Sequence, residues 1–189
     1  MKISTSSRRF LHTLRTVAGL LALIAAASLV GCGDSSNFKS TLAKATSGDP
    51  QAQVDLGLMY LTGQGVKENE QQALNWHKQA ALKGLPAGQR EYGRRLRDGI
   101  GGGRNLAAAR EWLEKAATAN DLDAQTDLAS LLGTYLQPPE YVEAMKWLLI
   151  AEKGGSPAAP AIIKSISGQM SAAELSQARG KAADFGKDK

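Results

Sequence analysis

Small and apolar residues return along the middle of this chain at helical spacing. Ala52, Leu56, Gly57 and Tyr60 fall at i, i+4, i+5 and i+8, one face of a helix with about 3.6 residues per turn. Ala73, Trp76, Ala80 and Ala81 form a second stripe of the same kind. Asp49-Pro50 precedes the first stripe as an N-cap acid followed by a proline suited to the first turn. Gly63-Gln64-Gly65 separates the two stripes, and Gly84 closes the second. The pattern predicts helices near 38–47, 50–62, 69–83, 87–97, 105–119, 122–135, 140–153, 158–167 and 172–185, an all-α chain.

The stripes repeat. Residues 52–63 can be laid over residues 88–99 with a constant offset of 36, so that Leu56, Gly57 and Gly63 meet Tyr92, Gly93 and Gly99. Ala73, Trp76, Ala80 and Ala81 fall in the same way on Ala109, Trp112, Ala116 and Ala117. A third copy places Ala124, Leu128, Ala129 and Leu132 36 residues beyond Gly88, Tyr92, Gly93 and Leu96. After one deletion, Ala144, Trp147 and Ala151 stand 35 beyond Ala109, Trp112 and Ala116. All 3 tryptophans thus share one repeat position. A single helix pair cannot bury its own apolar face, so a recurring pair implies stacking. Alanine and glycine at fixed positions let the helices of a pair nest, and Trp with Tyr or Leu fills the gap to the next pair.

These motifs resemble the Sel-one-like repeat, a relative of the tetratricopeptide repeat. Residues 52–84 carry its pattern through Ala52, Leu56, Gly57, Tyr60, Gly63, Gly65, Val66, Ala73, Trp76, Lys78 (one place early), Ala80, Ala81 and Gly84. The second copy departs at Gly88, Tyr92, Gly102 and Asn120, and in the third Gln137-Pro138-Pro139 replaces the glycine turn. The resemblance implies a right-handed αα-solenoid of about three helix pairs, with repeats near 50–84, 86–120 and 122–155. The N-terminal helix from Phe38 and a C-terminal cap over 156–189 would cover its ends. Ser171 and Glu174 form a capping-box pattern at the start of that last helix, whose stripe of Leu175, Ala178, Ala182 and Phe185 should face inward.

The first 31 residues differ in kind. They carry Lys2, Arg8, Arg9 and Arg15 and no acid, and Val17–Val30 is an uncharged apolar run too short to cross a ~30 Å hydrocarbon layer. A charged front, an apolar middle and a small-residue end are the parts of a secretory signal peptide. The run ends in Leu29-Val30-Gly31-Cys32, where Cys32 is the only cysteine. This resembles the lipobox of bacterial lipoproteins, which implies cleavage between Gly31 and Cys32, acylation of Cys32, and a tether over 32–37 before a domain at 38–189. Several acyl chains anchor stably where one would not. Gly33 after the cysteine, rather than Asp, implies the outer membrane facing the periplasm by resemblance to enteric lipoproteins. Ser7-Arg8-Arg9-Phe10-Leu11 partly resembles a twin-arginine signal.

Composition changes the picture little. Apolar residues make up 43% and aromatics only 5%, which suits closely packed helices. The formal charge of +5 is mostly the leader's: beyond residue 31, 19 basic side chains face 18 acidic ones, a formal +1. That balance argues against nucleic acid as a partner.

Candidate chemistry is sparse. His77 is the only histidine after the leader and reads as solvent-facing, and no metal or cofactor set accompanies it. Gly99-Ile100-Gly101-Gly102-Gly103-Arg104 lacks the Lys-Ser/Thr of a phosphate loop and reads as an enlarged turn. Gln53, Gln89 and Gln125 recur at one position, and Asp55, Glu91 and Asp127 at another. On stacked first helices these form two polar ladders, which either touch a partner or tie helix to helix. Arg90, Arg94, Arg95, Arg97 and Arg104 crowd the second repeat and suit an acidic partner segment. The expectation is a membrane-anchored, non-catalytic scaffold that binds a protein partner through Gln53, Gln89, Gln125, Arg90, Arg94 and Arg95. By resemblance it would serve envelope assembly or polysaccharide secretion. A glycan-acting enzyme or a small-molecule carrier is the alternative.

Overall fold

A computed structural model describes residues 35–187. The expected signal peptide, the Gly31–Cys32 cleavage site and the lipidated Cys32 lie outside the described residues. The helices are α1 (Ser35–Thr46), α2 (Pro50–Thr62), α3 (Glu70–Leu82), α4 (Pro86–Asp98) and α5 (Leu106–Thr118). They continue with α6 (Leu122–Ser130), α7 (Tyr141–Lys153), α8 (Ala159–Ser167) and α9 (Ala172–Asp184). Among the described residues there is no strand, and no helix is long and apolar enough to cross a membrane. Helix α1 begins at Ser35, so the end of the expected tether is helical.

Local chemistry sets the helix starts. The Asp49 carboxylate accepts from the amides of Gln51 and Ala52, and Asn69, Asn105 and Asp121 cap α3, α5 and α6 through Gln72, Ala108 and Ala124. Ser171 and Glu174 form the reciprocal capping box expected for α9. One turn position recurs at the end of each second helix. Gly84 (φ +80°), Asn120 (φ +65°) and Gly155 (φ +90°) all adopt the left-handed conformation there. Gly48 (φ +98°) occupies the same position after α1. Asn120 departs from glycine, but asparagine is among the residues that tolerate this region. Because α1 ends in the same turn, it corresponds to the second helix of a pair.

The pairs α2–α3, α4–α5 and α6–α7 each pack internally and on the next, and α2, α4 and α6 also lie side by side. Close approach explains the small residues. A methyl group on Gly88 would come 2.6 Å from the Ala80 Cβ, and one on Gly93 2.8 Å from Leu113 Cγ. The main core is lined by Leu113, Leu128, Leu131, Leu132, Met145, Trp147 and Leu148, and a smaller cluster joins Ala45, Ala52, Leu56 and Met59. Trp76 packs on that smaller cluster, Trp112 stands edge-on to Tyr92 at 5.5 Å, and Trp147 edge-on to Phe185 at 5.3 Å. Helix α9 therefore folds back on α7 with Ala178 fully buried, and caps the solenoid as its stripe implied.

Two expectations need correction. His77 is not solvent-facing: it is 0% exposed, and its imidazole fills the space that the missing side chain of Gly57 leaves. Leu113 and Leu148 occupy the same repeat position and are also 0% exposed, so the frame, not the residue type, decides the burial. In the third repeat the helix expected over 122–135 is α-helical only to Ser130. It widens into a π-helical turn over Leu131–Tyr135, with Gly133 against Ile166 of α8.

Candidate interaction surface

Helices α2, α4 and α6 carry Gln53, Gln89, Gln125, Arg90, Arg94, Arg95 and Arg97, and Arg104 lies in the turn after α4. The glutamine ladder turns inward. Gln53 and Gln125 are buried, and their amide nitrogens donate to the carbonyls of Ala45 and Ala117, each at 3.1 Å. Those carbonyls lie in the last turns of α1 and α5, where helices leave acceptors without intrahelical partners. Gln89 is buried at the same register, and no such bond to it exists among the described residues. Gln53 thus ties α2 to α1, and Gln125 ties α6 to α5. Burial removes Gln53, Gln89 and Gln125 from any surface a partner could touch, which corrects the expectation placed on them.

The arginines are not a free basic patch either. Glu91, with its side chain 6% exposed, receives Arg94 Nη1 at 3.2 Å and Arg95 Nη2 at 3.0 Å. Arg90 pairs with Asp123 and lies 3.7 Å from Asp121. Arg97 holds Asp98 in a two-pronged contact at 2.8 and 3.1 Å and reaches Asp127 at 3.2 Å. Arg94 Nε stands 3.6 Å from the same Asp127. Four guanidinium groups of α4 are thus matched by carboxylates of α4, of α6 and of the residue that caps α6. Arg94 keeps the largest exposure of Arg90, Arg94, Arg95 and Arg97, at 37%.

The electrostatics follow from this enclosure. Burial pushes the Glu91 carboxyl up, but Arg94 and Arg95 outweigh it and hold the group below its ordinary value. At Asp127 burial wins over Arg94 and Arg97, and the carboxyl sits above its ordinary value. Asp55, the third member of the acidic ladder, stands exposed and among the described residues bonds only the Gln51 side-chain amide, at 2.9 Å. The π turn brings Tyr135 to the edge of this cluster, with its ring 5.0 Å from the Arg97 guanidinium and 5.6 Å from that of Arg104. Gly101 packs against the Glu70 carbonyl at the start of α3, so the glycine-rich segment is a turn within repeat two that packs closely on repeat one.

Sequence reasoning missed Asp98, Asp121, Asp123 and Tyr135 as partners of the arginines. A signal existed. Arg94 and Arg97 meet Asp127, 33 and 30 residues on, and Arg90 meets Asp123, 33 on. Side-by-side first helices bring together residues separated by one repeat less one or two helical turns.

One register position keeps some exposure on all three of these helices, beside the exposed Gln51, Asp55 and Thr62 of α2 and Asp123 of α6. Leu58 is 40% exposed, Arg94 37%, and Ser130 half-buried, each one repeat apart on adjacent helices. Among the described residues no group of three or more His, Cys, Asp or Glu could hold a metal ion.

A search of the curated proteins finds no match. Among solved structures, the chain is similar to c5321, a protective antigen of uropathogenic Escherichia coli strains that displays an SLR fold. The TM-score is 0.72 and the identity 27% over 78% of this chain, which spans about a third (32%) of that protein. It is also similar to a Sel1 repeat protein from Oxalobacter formigenes, with a TM-score of 0.58, 28% identity, and coverage of 68% of this chain and 98% of the other. The Sel1 repeat model matches three successive segments, 50–85, 86–121 and 122–156, more than half of the chain. With its stacked pairs and recurring turns, this protein belongs to the Sel1 repeat family.

Proposed function

We propose that this protein is a membrane-anchored, periplasm-facing scaffold that holds a partner protein on the face formed by α2, α4 and α6. The reading rests on one observation. Three adjacent helices in register present Leu58, Arg94 and Ser130 at one repeat position, so backbone geometry is constant while side-chain chemistry varies. Solenoids use such extended surfaces for recognition, and Sel1 and tetratricopeptide-like repeats generally mediate protein binding. Because Arg90, Arg94 and Arg95 are already paired within the chain, the surface offers a mixed apolar and polar contact rather than excess positive charge. The lipobox-like end of the leader at Cys32 supports an envelope location.

Photo-crosslinking residues placed at 58, 94 and 130 in living cells should capture one common protein, and the outward positions 78 and 111 should not. Capture of the same protein from 78 and 111, or of nothing from all five, overturns the reading. Cys32→Ala tests the anchor separately: the chain should keep its leader and fail to incorporate labelled palmitate.

A further inference from the structure

The last helix pair holds a second feature of different chemistry. Between α7 and α9 lies an open hollow of about 320 Å³, at the small end of the range for ligand pockets. Its half-buried floor is Leu149, Ile150, Ala182 and Phe185, and its exposed polar groups are Lys153 and Arg179. Among the described residues neither of these cations pairs with a carboxylate. The contrast with their neighbours is direct: on the same two helices Lys146 and Lys181 share Glu143. The arginines of α4 are likewise matched, whereas Lys153 and Arg179 flank the apolar floor from two different helices.

We propose that this hollow binds a single-chain aliphatic carboxylate, with the hydrocarbon on Leu149, Ile150 and Phe185 and the carboxylate between Lys153 and Arg179. Both halves of the ligand find their complement: apolar surface leaves water, and a carboxylate accepts charge-assisted hydrogen bonds from ammonium and guanidinium. A peptide fits less well. Its amide groups each need a partner, whereas the backbone groups of α7 and α9 are largely spent within those helices, leaving two side-chain cations as the polar lining. The volume suits a medium-length chain without branches or rings. The site is at the end of the solenoid and independent of the proposed partner surface on α2, α4 and α6.

The test uses membranes carrying the full chain and a photoreactive decanoate analogue with a diazirine in mid-chain. Illumination should label peptides containing residues 149–153 or 179–185. Unmodified decanoate should compete about tenfold better than decanol, because only the acid gains the charge-assisted bonds. The double variant Lys153→Gln/Arg179→Gln should lose about tenfold in labelling, and Ala183→Leu, which fills the hollow and keeps its charge, should lose labelling as well. Thermal unfolding followed by circular dichroism should show both variants folded. Equal labelling of the double variant and the parent, or labelling confined to other segments, overturns the proposal. So does stronger competition by a peptide ending in leucine than by decanoate.

Discussion

Repeats one and two share a frame and fill it with opposite chemistry. Val54, Leu58, Met59 and Leu61 of α2 stand 36 residues before Arg90, Arg94, Arg95 and Arg97 of α4. Val54 and Met59 are buried aliphatic side chains, while their counterparts Arg90 and Arg95 are mostly enclosed by carboxylates. Further round, the second helices of the two repeats place His77 and Leu113 in equivalent buried pockets against Gly57 and Gly93. The alanines and glycines where helices cross vary little, because backbones touch there and nothing larger fits. The face between first helices accepts either apolar burial or a closed ion network. Its requirement is only that every buried charge find a partner.

The largest test of that contrast is Glu91→Ala against Asp55→Ala. Both acids hold one repeat position, but Glu91 neutralises Arg94 and Arg95, and Asp55 is exposed. Removing one partner of a buried pair costs about 3–5 kcal/mol, and an exposed acid within about 0.5 kcal/mol. Urea unfolding should therefore separate the two variants widely. Similar losses would break the comparison, because the network would then contribute nothing beyond a solvated side chain.

Next in size is the pH dependence of the pocket under Gly57. Desolvation lowers His77 from 6.5 to about 4, against the upward pull of Glu91 and the Val54 carbonyl. Between those values the unfolded chain binds the proton and the folded chain does not, so stability falls as pH drops from 6.5 towards 4. The loss is at most about 3 kcal/mol. His77→Leu, which copies Leu113, should remove this part of the slope in unfolding experiments at a series of pH values. An unchanged slope would place its origin elsewhere. Leu113→His should sharpen the comparison by adding a slope of the same sign in repeat two.

The smallest effect concerns the glutamines. Gln53→Ala and Gln125→Ala each remove a buried hydrogen bond and should cost about 1 kcal/mol, whereas Gln89→Ala should cost less, since Gln89 makes no equivalent bond among the described residues. Three equal losses in melting experiments would assign the role to packing instead.

The spacing of alanine, glycine and tryptophan made the helix pairs and their stacking legible, because that spacing is set by helix geometry and repeats. The caps at Asp49 and Ser171 were legible because a cap involves only three or four residues of local chain. The burial of His77 was also written in the register it shares with Leu113 and Leu148, although its residue type pointed outward. The fate of the glutamines and arginines was not legible in the same way. Whether a polar side chain on a first helix meets solvent, a carbonyl or a carboxylate depends on the rotation and lateral offset of neighbouring helices.

The amino-acid sequence by itself therefore determined the elements, their order and the repeat that stacks them, since each follows from contacts short along the chain or identical in every unit. Only the tertiary structure decided which charges would neutralise one another and which would remain free. Arg97 reaches Asp127 across a helix–helix interface, and Lys153 and Arg179 come to one hollow from two helices with no acid between them. The physical reason is range: backbone hydrogen bonds and caps close within a few residues, while ion pairing and desolvation are set by whatever packing brings within a few ångströms.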